Sequence, residues 1–174
     1  NMNYIKNSNS VTLRADYPGQ SEVKYSWRKD GFQMGETTNN TYDIVEENMT
    51  STFKCLIYST KINDFFYETN TIKFRPEILK PENDEENVAL EFNANWESFP
   101  NVDGYYIQLK LKNTPLIDTT VTDNQFIDYK LNLLPNREYD FSVAIVDDNL
   151  KGLESSVTFS TLNINEYSNE KPPM

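Results

Sequence analysis

Residues 133–146 read Leu-Leu-Pro-Asn-Arg-Glu-Tyr-Asp-Phe-Ser-Val-Ala-Ile-Val. The Pro-Asn step suits a turn, because Pro presets φ and Asn tolerates left-handed backbone. It runs straight into a stretch in which Tyr139, Phe141, Val143 and Ile145 alternate with Glu138, Asp140, Ser142 and Ala144. Period two places the first four side chains on one face of a strand, whereas a helix would scatter them. The stretch predicts a half-buried strand entered from a tight corner.

The same reading extends along the chain. Val11 to Ala15 and Val23 to Trp27 alternate, and Lys29-Asp30-Gly31 forms a turn signal. Tyr42 to Ile44, Thr52 to Tyr58 and a final run from Tyr67 to Phe74 complete a first set of short strands without helical periodicity. The chain has 174 residues, room for two sandwiches of about 100 residues or less each. Arg75-Pro76 marks the boundary, since proline cannot continue a hydrogen-bonded ladder. The expected organisation is all-β, with one sandwich over residues 1–75, a second over 76–162, and a connecting tail over 163–174.

Landmarks in the second half carry a family resemblance. Pro76-Glu77-Ile78-Leu79 matches a first strand and Val88 to Phe92 a second, with Trp96 just before the next loop. Gly104-Tyr105-Tyr106-Ile107-Gln108-Leu109 is similar to a G-Y-x-V-x-Y strand, Leu133 to Val146 to a corner and strand, and Glu154 to Thr161 to a closing strand. In this order they resemble a fibronectin type III domain. The resemblance implies that Tyr139 packs under the corner and that its hydroxyl bonds back to upstream backbone. Leu90, Phe92, Tyr105, Ile107, Leu109, Phe141, Val143 and Ile145 then face inward, Trp96 caps one end, and Tyr106 points outward.

The first half resembles an immunoglobulin-like domain, with Trp27 on the third strand and Phe53-Lys54-Cys55 at the place of the aromatic-x-Cys signature. Ala15 stands where the partner cysteine would be, so the resemblance implies a sandwich without its inter-sheet bridge and a Cys55 thiol buried beside Trp27. The expected core is Leu13, Ala15, Tyr25, Trp27, Tyr42, Ile44, Phe53, Cys55 and Ile57. The alternative for Cys55 is a reactive thiol, but no His is present to lower its pKa.

Inventory narrows the chemistry. With His 0, a Ser-His-Asp triad and a His-containing metal site are excluded. A glycosidase-like pair needs two carboxyl groups held about 5 to 10 Å apart across a cleft, which short-looped sandwiches do not offer. The 5 Gly form no phosphate loop. No enzymatic role and no cofactor are expected. A net charge of −11 repels phosphate backbones and anionic headgroups, and no run approaches the roughly 18 apolar residues of a membrane span. Neither nucleic-acid binding nor membrane insertion is expected.

Three sets of residues are candidates for function. Asn63, Asp64, Phe65, Phe66 and Tyr67 fall at the hairpin before the last strand of the first sandwich, where aromatic side chains can supply contact area. The competing reading is ordinary hairpin packing, although consecutive aromatics cannot both face one core. Asp103, Asp147 and Asp148 could contribute part of the roughly six to eight oxygens a calcium ion takes, or be solvated loop acids in an acidic protein. Asn39-Asn40-Thr41 and Asn48-Met49-Thr50 are glycosylation acceptors only in a eukaryotic secretory route. The run Glu82-Asn83-Asp84-Glu85-Glu86 reads as a solvated loop.

The resulting expectation is a monomeric, rod-like excerpt of a longer cell-surface or secreted protein. It presents or spaces a surface for a protein ligand, or a carbohydrate one. An accessory spacer of a secreted carbohydrate-active or other hydrolytic enzyme is a second reading. An intracellular structural tandem of the muscle type is a third, because disulfide-free sandwiches suit a reducing compartment.

Overall fold

The computed structural model describes residues 1–19, 22–45, 49–62 and 65–163. The chain is all-β and divides into two compact units. Unit 1 takes in Asn1–Phe74, Phe99–Val102 and Asp147–Gly152; unit 2 takes in Arg75–Ser98, Asp103–Val146 and Leu153–Met174.

In unit 1, β1 (Met2–Lys6), β2 (Val11–Ala15) and β5 (Thr41–Ile44) form one antiparallel sheet in the order β1-β2-β5. The facing sheet holds β3 (Val23–Lys29), β4 (Phe32–Thr37), β6 (Thr52–Ser59) and β7 (Phe66–Glu68) in the order β4-β3-β6-β7, with β8 (Ile72–Lys73) also on β6. Asp30 and Gly31 take φ of 49° and 89°, the left-handed pair of a two-residue hairpin whose twist matches its strands. Alternation in β6 sends Phe53, Cys55 and Ile57 into the core, where Leu13, Ala15, Trp27 and Ile44 are also fully buried. Trp27 and Cys55 are register partners on adjacent strands, so the thiol does sit beside the indole. Tyr42 differs from expectation. It is half-buried, its ring lying 5.9 Å from Trp27 and over Gly35, where an added Cβ would meet it at 2.9 Å.

The expected run from Tyr67 to Phe74 is broken into β7 and β8, and Thr69 explains the break. Its N–H donates to Cys55 C=O at 3.0 Å while its hydroxyl accepts the Cys55 N–H at 3.0 Å. A side chain thus replaces one rung of the ladder, and the strand bulges there.

Unit 2 pairs a five-stranded sheet with a three-stranded one. The first runs β10 (Glu85–Val88), β16 (Leu150–Thr161), β15 (Glu138–Asp147), β12 (Gly104–Leu111) and β13 (Thr114–Val121); the second runs β14 (Gln125–Asn132), β11 (Glu91–Trp96) and β9 (Ile78–Lys80). Phe92, Trp96, Tyr105, Ile107, Leu109, Phe141, Val143 and Ile145 are buried as expected. Leu90 is half-buried instead, because the strand expected over 88–92 begins only at Glu91. Residues 85–88 pair in parallel with β16, and Asn87 bends that segment with a φ of 59°. Part of the acidic run 82–86 is therefore strand rather than loop, and Lys80 reaches Glu82 at 2.9 Å and Glu85 at 3.5 Å. The corner before β15 behaves as the resemblance implied. Tyr139 is buried, its hydroxyl accepts the Leu134 N–H at 2.7 Å, and Asn136 takes the left-handed φ of 54°.

Candidate functional site

The β6–β7 hairpin of unit 1 carries three exposed aromatic side chains near one strand edge. Ser59 shapes its start, its hydroxyl accepting the N–H of Lys61 at 3.1 Å and of Ile62 at 3.0 Å. Ile62 is exposed, and Asn63 and Asp64 lie outside the described residues. Phe65, Phe66 and Tyr67 follow with 37%, 67% and 38% of their surfaces exposed, well above core values. Alternation splits them. Phe66 pairs with Tyr58 on the outer face of the sheet, whereas Tyr67 pairs with Ile57 on the inner side.

Tyr17 joins the inner-side set, and nothing in the sequence marked it. It follows β2, with its ring 6.1 Å from Phe65 in an edge-on arrangement and 6.4 Å from Tyr67. Contact across some fifty intervening residues has no local signature. The result is aromatic surface on both sides of one short strand: Phe66 on one, Phe65, Tyr67 and Tyr17 on the other.

Beside Phe66 the outer face is polar and internally paired. Lys24 Nζ lies 2.7 Å from Glu36, which also accepts the Tyr58 hydroxyl. Hydrogen bonding to Lys24 holds the Glu36 carboxyl below the usual carboxylate range, and bonding to Glu36 pushes the Lys24 ammonium and Tyr58 phenol up. Lys54 pairs with Glu68 at 2.7 Å. These contacts orient the aromatics' neighbours and contain no nucleophile paired with a base.

The other candidates fall elsewhere. Asp103 belongs to unit 2, and Asp147 and Asp148 belong to unit 1. Asp147 is buried, and its carboxylate accepts the Met49 N–H at 2.7 Å. Asp148 and Asn149 have φ of 51° and 61°, a left-handed pair that suits two short polar residues at the β15–β16 turn. Asn39 is exposed in the bend before β5, its carbonyl accepting the Thr37 hydroxyl at 2.6 Å; Asn48 lies outside the described residues. In unit 2, Tyr106 faces outward and donates to Asp118 at 2.5 Å, which pushes its phenol up to about 12. Burial pushes the Cys55 thiol up to about 12, so it stays protonated at neutral pH. No helix of the described residues is long and apolar enough to cross a membrane.

No family model matches the chain, and no curated protein sequence does. Among solved structures it is similar to the chicken interferon gamma receptor alpha chain, with 13% identity over 94% of this chain and 97% of that one and a TM-score of 0.42. It is similar to a two-domain fibronectin type III segment of chicken tenascin, with 12% identity, 92% and 98% coverage and a TM-score of 0.37. The fibronectin(III)-like modules of Clostridium thermocellum CbhA give 9% identity, 97% and 92% coverage and a TM-score of 0.39. With likenesses this distant, the fold rests on the sheets described above.

Proposed function

We propose that the chain is a non-catalytic interaction module, part of a cell-surface or secreted multidomain protein, and that the β6–β7 hairpin of unit 1 is its contact site for a protein ligand. The observation that carries this is the exposure of Phe65, Phe66 and Tyr67 on a strand, with Tyr17 packed beside them. Water-facing aromatic surface costs solvation free energy that a protein recovers when a partner covers it. Aromatics also give large contact area for few frozen torsions. The residue inventory supports the non-catalytic half of the reading: His is absent and the one thiol, Cys55, is buried and protonated. On a secretory route, Asn39 is the glycan acceptor this reading favours, since it is exposed in a turn away from strand pairing.

The test is binding of the labelled tandem to cells of the source organism. Phe66→Ala combined with Tyr67→Ala lowers cell binding roughly ten-fold, a contact worth about 1.4 kcal/mol. Unchanged binding by a folded double variant sinks the proposal.

A further inference from the structure

In an acidic chain, the outer face of the β4-β3-β6-β7 sheet reverses the sign of charge at one end. On β6, Phe53, Cys55 and Ile57 point into the core, so Thr52, Lys54, Leu56 and Tyr58 stand on the outer face. Register sets Arg28 of β3 beside Lys54, Lys73 of β8 beside Thr52, and Phe66 of β7 beside Tyr58. Arg28, Lys54, Lys73 and Phe66 therefore share one face of unit 1.

The carboxylates of this face are already committed. Glu36 takes Lys24 and Glu68 takes Lys54, each at 2.7 Å, and Asp30 turns its carboxylate onto the Thr52 N–H at 2.8 Å. Arg28 and Lys73 are left over. Among the described residues neither makes an ion pair or a hydrogen bond, and Arg28 Nε is buried with no acceptor. Arg28 also lies directly opposite Lys54 on the adjacent strand, where like charges repel. An unpaired buried donor and a facing pair of cations both cost free energy, and a carboxylate supplied from outside relieves both.

We infer that this face binds an acidic segment of the partner protein, with carboxylates of that segment on Arg28 and Lys73. This deepens the contact-site reading above and rests on it, because Phe66 stands on the same face, roughly 16 Å from Arg28 at ordinary strand spacing. An extended segment of about five residues covers that span. Arg28 offers a planar fork that holds a carboxylate by two parallel bonds, and Lys73 is exposed and offers a point charge. Unit 1 as a whole carries 11 acidic against 9 basic residues, so the attraction is local to these side chains. Dense polyanions are poorer occupants, since they need many cations and meet a chain of net charge −11.

The probe is the peptide Gly-Glu-Leu-Glu-Phe-Leu-Glu-Leu-Gly, with a version carrying Gln for every Glu, each titrated into isotope-labelled tandem; heparin serves as the polyanion. The acidic peptide shifts the Arg28 Nε–H signal and the Lys73 and Phe66 amides, and added salt weakens it. The Gln version leaves these signals in place. Arg28→Gln combined with Lys73→Gln weakens the acidic peptide roughly ten-fold and lowers cell binding of the tandem to a similar degree. Should that double variant fail to fold, Lys73→Glu, at an exposed position, must weaken the peptide by itself. Equal binding of the Gln version, shifts confined to other faces, or heparin binding more tightly than the peptide overturns the inference. Dimerisation of the tandem that the double variant abolishes makes a second copy the occupant and also overturns it. Cell binding lost in Phe66→Ala with Tyr67→Ala but kept in Arg28→Gln with Lys73→Gln overturns it and leaves the contact site standing. Peptide binding lost in Arg28→Gln with Lys73→Gln, while cell binding survives the aromatic double variant, keeps the cationic face and removes the hairpin.

Discussion

At the scale of single residues, unit 1 packs its one cysteine into the core as an ordinary apolar side chain. Ala15 and Cys55 are both fully buried, and the thiol contributes as a small apolar group beside Trp27. Thr69 supports it by accepting the Cys55 N–H at 3.0 Å. Thr69→Val keeps the shape and removes that acceptor, leaving a buried N–H unpaired, so a loss of about 1 to 3 kcal/mol is expected in urea unfolding. A loss near zero would show the bond to be dispensable. Because burial raises the thiol from an ordinary value near 9 to about 12, the folded state holds the proton more tightly than the unfolded chain does. Its contribution to stability is fully present below pH 9 and is lost as pH rises toward 12. A thiol reagent at neutral pH therefore labels Cys55 only as fast as unit 1 opens; rapid labelling of native protein contradicts the burial. Tyr139 and Cys55 were legible in the sequence because turn residues and strict alternation surround them. Thr69 was not, since its role depends on a rung of β6 fourteen residues earlier in the chain.

At the scale of elements, legibility followed periodicity. β2 and β15 alternate cleanly, and their spans came out as expected apart from one residue at the end of β15. β1 and β14 break the alternation with adjacent apolar pairs, Tyr4-Ile5 and Phe126-Ile127, and did not stand out, and β11 began later than expected because the backbone around Asn87 turns back toward β16 first. In the candidate site, the impossibility of consecutive side chains sharing one face required only that one of Phe65 and Phe66 lie off the core; that Phe65, Phe66 and Tyr67 are all exposed is a finding of the structure. The place of Tyr17 and the gathering of Arg28, Lys54 and Lys73 arise from tertiary placement and strand order, which no local pattern encodes. The division between contact and core predicts a contrast in stability. Phe66→Ala, at 67% exposure, changes unfolding free energy by no more than about 0.5 kcal/mol, whereas Trp27→Ala, fully buried, costs about 3 to 5 kcal/mol. Two comparable losses in chemical denaturation would place Phe66 in the core and remove it from the surface available to a ligand.

At the scale of the whole molecule, the two all-β units differ in charge: unit 2 carries 16 acidic against 7 basic residues and unit 1 carries 11 against 9, so the repulsion of phosphate-rich partners is concentrated in unit 2. The sandwiches position loops and faces, and the proposed recognition resides in one hairpin of unit 1 and the sheet face beside it. Architecture was readable because it repeats over many strands, each reporting the same period. The ligand was not, because one short hairpin leaves no repeating pattern. The most direct test of the central claim replaces Phe66 with a photo-crosslinking amino acid and irradiates the tandem on living cells of the source organism, with the same probe at exposed Lys112 in unit 2 as control. The account predicts a discrete protein adduct from position 66 and none from position 112. No adduct at 66, or the same adducts from both positions, would contradict it.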